Sequence, residues 1–415
     1  MTKRHSTYLC GVIGLLLMIG LLTAGAAAST TISVLARPFA NVGFNELIAE
    51  FEKQHPDIKV EMTYATTVND LFAKLSVAMA AGAPPDAVGI ELGASSMATL
   101  NAGFRDLDPY LFKQPTDYTF FPAILQALKS FDGRQVLVPF SISLPMVLAN
   151  TDMFDQAGVV PNVTTWNDLL DTSRKLMKSD GGTVSVWGIS GLWNDFTWLP
   201  AYWSYGGELM SNDGSQLTLR SGDAAALKAL NVWYDLHVAY KVVGGSFQRG
   251  TSALYMSGLS TVNTYQTWNV SWGLQAYIIP RAEDGQHAPF IGGDGWAIPT
   301  DAKNPDAAWV LIDWMNKPST QRAYMDTHNG IWFLGASGVR EVYGSDFLRM
   351  FPVYQAAGLS LELGRRPHVV FLDAGLTSDL QAMLSQVTKG TNPVAALENF
   401  TNTAEAKLVE YRQKQ

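Results

Sequence analysis

Cysteine is almost missing from this 415-residue chain: Cys10 is the only one, and it sits inside an N-terminal apolar run. Disulfides and cysteine-based metal sites are therefore excluded from the rest of the chain, and the fold must be held by its core alone. Charge is also sparse, with Asp, Glu, Lys and Arg making up 16% of residues and a net charge of −8. Beyond the N-terminus no Lys/Arg cluster exceeds a pair, so no basic face exists to release counterions and nucleic acid is excluded as a partner. The six histidines lack metal-ligand spacing, so no metal site is expected. No GxSxG elbow, HExxH, Walker loop or dinucleotide fingerprint is found, which leaves neither a cofactor site nor a familiar catalytic constellation. Internal repeats, low-complexity tracts and a second long apolar run are absent as well.

The one long apolar run, Tyr8 to Ala24, follows a basic head of Lys3, Arg4 and His5 and leads into Ala26-Ala27-Ala28 before Ser29. Basic head, apolar middle and small-residue end describe a cleavable secretory signal over 1–28. A membrane anchor is the alternative, but the run contains three glycines and falls short of the roughly 20 residues that span a bilayer. Cys10 lies ahead of the cleavage site, so the mature protein is expected not to be a lipoprotein. Removing Lys3 and Arg4 with the signal takes the net charge to −10.

The remaining chain exceeds the roughly 250–300 residues at which single cores stop growing, so two domains are expected. Aromatics are plentiful, with 12 Trp, 15 Tyr and 19 Phe. That is more than two cores require, and some should line a cleft.

Thr31 to Ala36 reads as a first strand. Phe44, Leu47, Ile48 and Phe51 then mark one face of a helix. Ile58, Val60, Met62 and Tyr64 alternate with polar residues, predicting a strand with one covered face. Val68, Leu71, Phe72 and Leu75 stripe a second helix, which Gly82-Ala83-Pro84-Pro85 ends before the apolar run Ala87 to Ile90. This alternation predicts an α/β fold with ligand loops at the carboxyl ends of the strands. The segment Phe131 to Pro139 predicts a hairpin at Asp132-Gly133, continued by an extended run to Ala149, and a first passage between domains is placed here. Further strands are expected at Val184 to Ser190 and Trp272 to Ile279, with a second passage around Gly285 to Pro299. Helices are expected over Asp223 to Val238, from Asn304-Pro305 to Lys317-Pro318, and in two pieces between Leu376 and Tyr411.

In order and spacing, HPDIKVEMTYA, AGAPPDAVGIE, NTDMFDQAGV with TTWNDLL, GGDGWAIP and KNPDAAWVLIDWMNKPSTQ resemble the family-one extracellular solute-binding proteins of ABC importers, of the maltose- and trehalose-binding type. The family's signature at the first passage reads PFSISLPMVLANTDMFD here; Pro139, Val147, Leu148, Asn150 and Phe154 match, and Met146 and Ala149 depart. The resemblance implies a two-lobed periplasmic-binding-protein fold, each lobe a mainly parallel sheet flanked by helices and joined by a multi-strand hinge. Lobe 1 would comprise 29–139 with 288–341, and lobe 2 would comprise 140–287 with 342–415. It further implies a periplasmic monomer that captures a carbohydrate and delivers it to ABC permease subunits. A polyol or a glycerol-phosphate-type solute is the alternative ligand.

Sugars present hydroxyl rims and C–H faces, which polar groups and aromatic rings answer respectively. On the resemblance, contacts are expected from Glu91 and Ser95 after the third strand, from Ser141 and Ser143 at the first passage, and from Trp193 and Trp203 in the aromatic-rich LWNDFTWLPAYWSYGG. Asn263 and Tyr265 in NTYQTWNVSWG, Gly293, Asp294 and Trp296 in GGDGWAIP, and Arg365 complete the set. For each, ordinary loop, hinge or core chemistry remains the alternative. A secreted glycoside hydrolase would need two carboxyls flanking one bond, for which Asp195, Glu208, Asp213 and Asp294 can be nominated. A structural or adhesive protein would usually show repeats or an anchor.

Overall fold

Strand and helix alternate from the start of the chain in the computed structural model, which describes residues 29–36, 44–91, 103–113, 117–130, 132–192, 194–265, 268–327, 335–350 and 354–414. Residues 1–28, the expected signal, lie outside them. The first run is β1 (Thr30–Ala36), α1 (Phe44–Gln54), β2 (Ile58–Tyr64), α2 (Val68–Ala80) and β3 (Ala87–Glu91). Then come α3 (Pro122–Ala127), β4 (Val138–Ser143), β5 (Pro145–Asn150), α4 (Trp166–Leu176), β6 (Lys178–Asp180) and β7 (Thr183–Ser190). The chain continues through α5 (Asp195–Ser204), α6 (Ala224–Tyr234), β8 (Ser252–Gly258), α7 (Ser260–Tyr265), β9 (Leu274–Ile278) and β10 (Gly292–Ala297). It ends with α8 (Pro305–Asn316), α9 (Tyr354–Leu363), α10 (Thr377–Thr388) and α11 (Pro393–Gln413).

The strands form two five-stranded sheets, ordered β2-β1-β3-β10-β4 and β6-β7-β8-β5-β9. In the first, β1 runs parallel to β2 and β3. The apolar stripe of α1 is buried as its spacing demands, with Phe44, Leu47, Ile48 and Phe51 inside. Buried Asp86 ties the layers together: its carboxylate accepts from the Ser33 backbone N–H at 2.9 Å and from the Asn304 backbone N–H at 2.7 Å, joining β1 to the start of α8.

Most strands of each sheet share one direction, as expected, with β10 reversed in the first and β5 and β6 in the second. β10 is antiparallel to β3 and β4, and β5 is antiparallel to β8 and β9, leaving β7 with β8 as the parallel pair of the second sheet. The cause is connectivity, because β5 and β10 each enter a sheet from the other one and run against the βαβ direction, which β4 keeps. The first passage is Leu144, a single residue between β4 and β5. β5 then divides its side chains by parity: Met146 and Leu148 join one buried cluster, Val147 and Ala149 the other. A strand covered on both faces has no polar alternation, which accounts for the unbroken apolar run read in the sequence.

The second passage falls between Phe290 and Ile291, whose side chains belong to different cores. Phe347, Tyr354, Ala357 and Leu361 pack into the first core and Phe371 into the second, so the third passage lies near Gly364 to Arg366. The expectation that 342–415 belongs wholly to lobe 2 cuts the chain earlier than this packing does. α9 touches both α3 and β9, and so spans the two cores. Among the described residues no helix is long and apolar enough to cross a membrane.

Candidate functional site

A cavity of about 1060 Å³ opens between the sheets, lined from the first by Asn69 and Glu91 and from the second by residues of β8, α5, α7 and α10. Ser143, Gly292 and Gly293, beside two of the passages, line it as well. This volume reaches the upper end of small-molecule pockets, about 300–1,000 Å³.

The second-sheet wall begins with α5. Asn194 caps that helix, its Oδ1 accepting from the Phe196 N–H at 3.1 Å, and this fixes Asp195 at the first helical position. Asp195 is only 9% exposed. Gln381 on α10 donates from Nε2 to its Oδ1 at 2.8 Å. Burial raises the Asp195 carboxyl above the ordinary carboxylate range, against the opposing pull of Gln381 and backbone N–H groups. Two aromatic rings, Phe196 and Phe290, meet edge to face at 5.2 Å on the same wall. Tyr255, stacked on Phe247 at 5.5 Å, adds a third ring. Hydroxyls of Ser143, Ser257, Thr261 and Ser378 and the amides of Asn69, Asn194 and Gln381 complete a polar rim. Such a surface can stack a ring, accept and donate hydrogen bonds, and hold water out when filled.

Three of the residues expected from sequence, Glu91, Ser143 and Gly293, line this cavity. Ser141 and Asp294 do not, although Glu91, Asp294 and Ser141 share one rung across β3, β10 and β4. Asp294 is 0% and Ser141 2% exposed, so those two members of the rung are buried inside the sheet. Gly293 has a packing reason for being glycine: its φ is 108° and a Cβ there would stand 2.0 Å from the Ser141 carbonyl oxygen.

The expected aromatic contacts are placed differently. Trp296 is buried between Phe44 and Phe140, with ring centroids at 6.0 and 5.8 Å, and belongs to the first core. Trp203 stacks on the far side of Phe290 at 6.0 Å and lines a separate hollow of about 520 Å³. Arg365 sits over the Trp203 ring at 5.1 Å and pairs with Glu208 at 2.6 Å, also away from the cavity. Tyr265 donates to the Trp272 carbonyl and packs against Trp268 and Trp272. Ser95 and Trp193 lie outside the described residues, as does the side chain of Asn263 on α7, two positions after Thr261.

Among the acids nominated for hydrolysis, Asp195 alone lines the cavity. Glu208 is in its ion pair, and the exposed Asp213 is held at about 2 by hydrogen bonds from Ser211 and Ser215. Sequence reasoning passed over Phe196, Tyr255, Phe290 and Gln381. The Asn194-Asp195 cap was a usable signal, since an acid opening an apolar helix already has a capping partner before it. Nothing in the α10 sequence marks Gln381 as facing a cavity.

Two α/β layers with an intervening polar and aromatic cavity define a two-lobed binding protein. The chain belongs to the bacterial extracellular solute-binding protein family, whose profile matches residues 41–322. It is 25% identical over 346 residues to the sn-glycerol-3-phosphate-binding periplasmic protein UgpB of Escherichia coli (strain K12), covering 77% of this chain and 76% of that one. The sugar-binding protein MalE of Xanthomonas citri superposes with a TM-score of 0.79 at 20% identity, covering 92% of this chain and 98% of the other. UgpB of Mycobacterium tuberculosis, in complex with glycerophosphocholine, gives 0.77 at 18% identity, covering 93% and 100%.

Proposed function

We propose that this protein captures a carbohydrate in the cavity between its sheets and delivers it to an ABC importer, working as a periplasmic monomer after removal of residues 1–28. The observation that carries the reading is the wall built by Phe196 and Phe290 beside Asp195, Gln381 and the hydroxyl rim. Flat apolar faces next to paired donors and acceptors suit a sugar ring and its hydroxyls. Family membership and the sugar-binding neighbour support the same reading. A glycerol-phosphate-type ligand is the second reading, favoured by the UgpB relative.

Binding without conversion is the expected behaviour. Isothermal titration of the exported protein with mono- and oligosaccharides should give one site per chain, and the sugar recovered afterwards should be unchanged. Hydrolysis of the bound sugar would overturn the binding reading in favour of a glycoside hydrolase.

A further inference from the structure

The relatives divide between sugar binding and glycerol-phosphate binding, and these ligands differ in charge. A phosphate ester is an anion, whereas a sugar is neutral and rich in O–H donors. The wall of the cavity discriminates between them.

We infer that Asp195 sets the class of solute: the cleft takes an uncharged polyhydroxylated solute whose hydroxyls donate to the Asp195 carboxylate, and it turns away phosphate-bearing solutes. This rests on the cavity being the ligand site. Asp195 is nine-tenths buried on the cavity wall, and the side-chain donor it has there is the neutral amide of Gln381. Among the described residues, the cavity lining contains no Lys, Arg or His, while Glu91 adds a second carboxyl from the opposite sheet.

The N-terminus of α5 would ordinarily attract a phosphate, because free N–H groups and the helix dipole converge there. Here that position is taken. Asn194 accepts the Phe196 N–H, and Asp195 places its own negative charge in the first turn. A phosphate entering beside Asp195 would meet a like charge at a carboxylate only 9% exposed, where repulsion is screened less than at the open surface. A sugar hydroxyl meets an ionised acceptor instead. Charge-assisted O–H to carboxylate bonds are roughly twice as strong as neutral ones. The carboxylate is also kept at a cost to the free protein, since it is desolvated without a cation beside it. A group that costs stability in the free state and faces a cavity is retained for what it binds.

The test uses the protein as exported, with maltose, trehalose, mannobiose and tagatose as neutral probes, and sn-glycerol 3-phosphate and glycerophosphocholine as phosphate-bearing ones. Titration calorimetry should find the binder among the neutral probes and no binding of either phosphate compound at millimolar concentration. Asp195→Asn, which keeps the shape and removes the charge, should weaken the sugar at least tenfold, leave the melting temperature of the free protein unchanged or higher, and strengthen the phosphate compounds. Asp195→Glu should retain part of the sugar affinity. Tight binding of sn-glycerol 3-phosphate to the wild type, or sugar affinity indifferent to Asp195→Asn, would overturn the charge assignment while leaving solute capture intact. A lower melting temperature in Asp195→Asn would make the acid a structural one and also overturn it. Failure of every probe of either class to bind would count against the transport reading itself.

Discussion

Trp203 and Phe196 show how a short aromatic segment divides its work. Trp203 is 4% exposed, stacked on Phe290 from behind and covered by the Arg365 guanidinium. Phe196 stands half-buried on the cavity wall, seven residues earlier in the same helix region. Removing each ring should therefore fail in a different assay. Trp203→Ala should cost about 3–5 kcal/mol of stability, the scale for deleting a large core side chain, and urea denaturation measures that loss directly. Phe196→Ala should leave most of the stability and weaken sugar binding by about 1–3 kcal/mol, the scale of a buried aromatic contact. A Trp203→Ala protein with full stability and lost affinity would restore that tryptophan to the ligand and contradict the placement. Composition gave the surplus of rings, but choosing which ring faces ligand required knowing which side of Phe290 is the cavity.

Elements carried most of what could be read from sequence. The buried stripe of α1 is the set its spacing picked out, α8 opens at Pro305 as the Asn304-Pro305 signal indicates, and Asp223 caps α6 through the Ala225 and Ala226 N–H groups as a helix opening at that residue requires. What did not show was irregularity. The helix expected to run from Asp223 to Val238 is α-helical only to Tyr234 and continues as a π-helical turn, Asp235–Ala239. That turn carries His237, whose Nε2 is buried without a hydrogen-bond partner, and burial pushes the ring down to about 4. The sign follows from linkage. An unfolded histidine takes up its proton near pH 6.5 and the folded one only near 4, so between those values the unfolded chain binds more protons and stability falls as the pH drops. A full pH unit above 6.5 this residue contributes little slope. Unfolding free energies from denaturant titrations at pH 7.5, 6.5, 5.5 and 4.5 should decline across the last three, and His237→Gln should flatten that decline. An identical slope in wild type and variant would contradict the assignment. The exposed carboxylates held low by neighbours, such as Asp70 and Asp132, act further down the scale. His368, also lowered by burial, adds to the decline and the raised carboxyls Asp195 and Asp235 oppose it, so the difference between wild type and His237→Gln is what isolates His237. The reversal of β5 escaped notice for a similar reason: an apolar run marks a strand covered on both faces but carries no direction, so β5 reads alike whether parallel or antiparallel.

At the scale of the molecule, three passages among the described residues join the two cores: Leu144, the Phe290–Ile291 step, and Gly364 to Arg366. Two of them are laced together, with the Arg365 N–H donating to Pro289 at 2.8 Å and the Ile291 N–H donating to Arg365 at 2.7 Å. Most packing lies on one side or the other, with Met146, Leu148, Ala276 and α9 shared between the two, so rotation at the passages changes chiefly the cavity between the sheets. A solute that touches Asn69 or Glu91 on one side and Asp195 or Phe196 on the other gains contacts as the walls approach. It therefore binds the closed arrangement better, and that difference in affinity shifts the population. The most direct test is small-angle X-ray scattering of the exported protein, free and saturated with the sugar that calorimetry identifies. The account predicts a smaller radius of gyration in the saturated sample, and an unchanged scattering profile at full occupancy would contradict it.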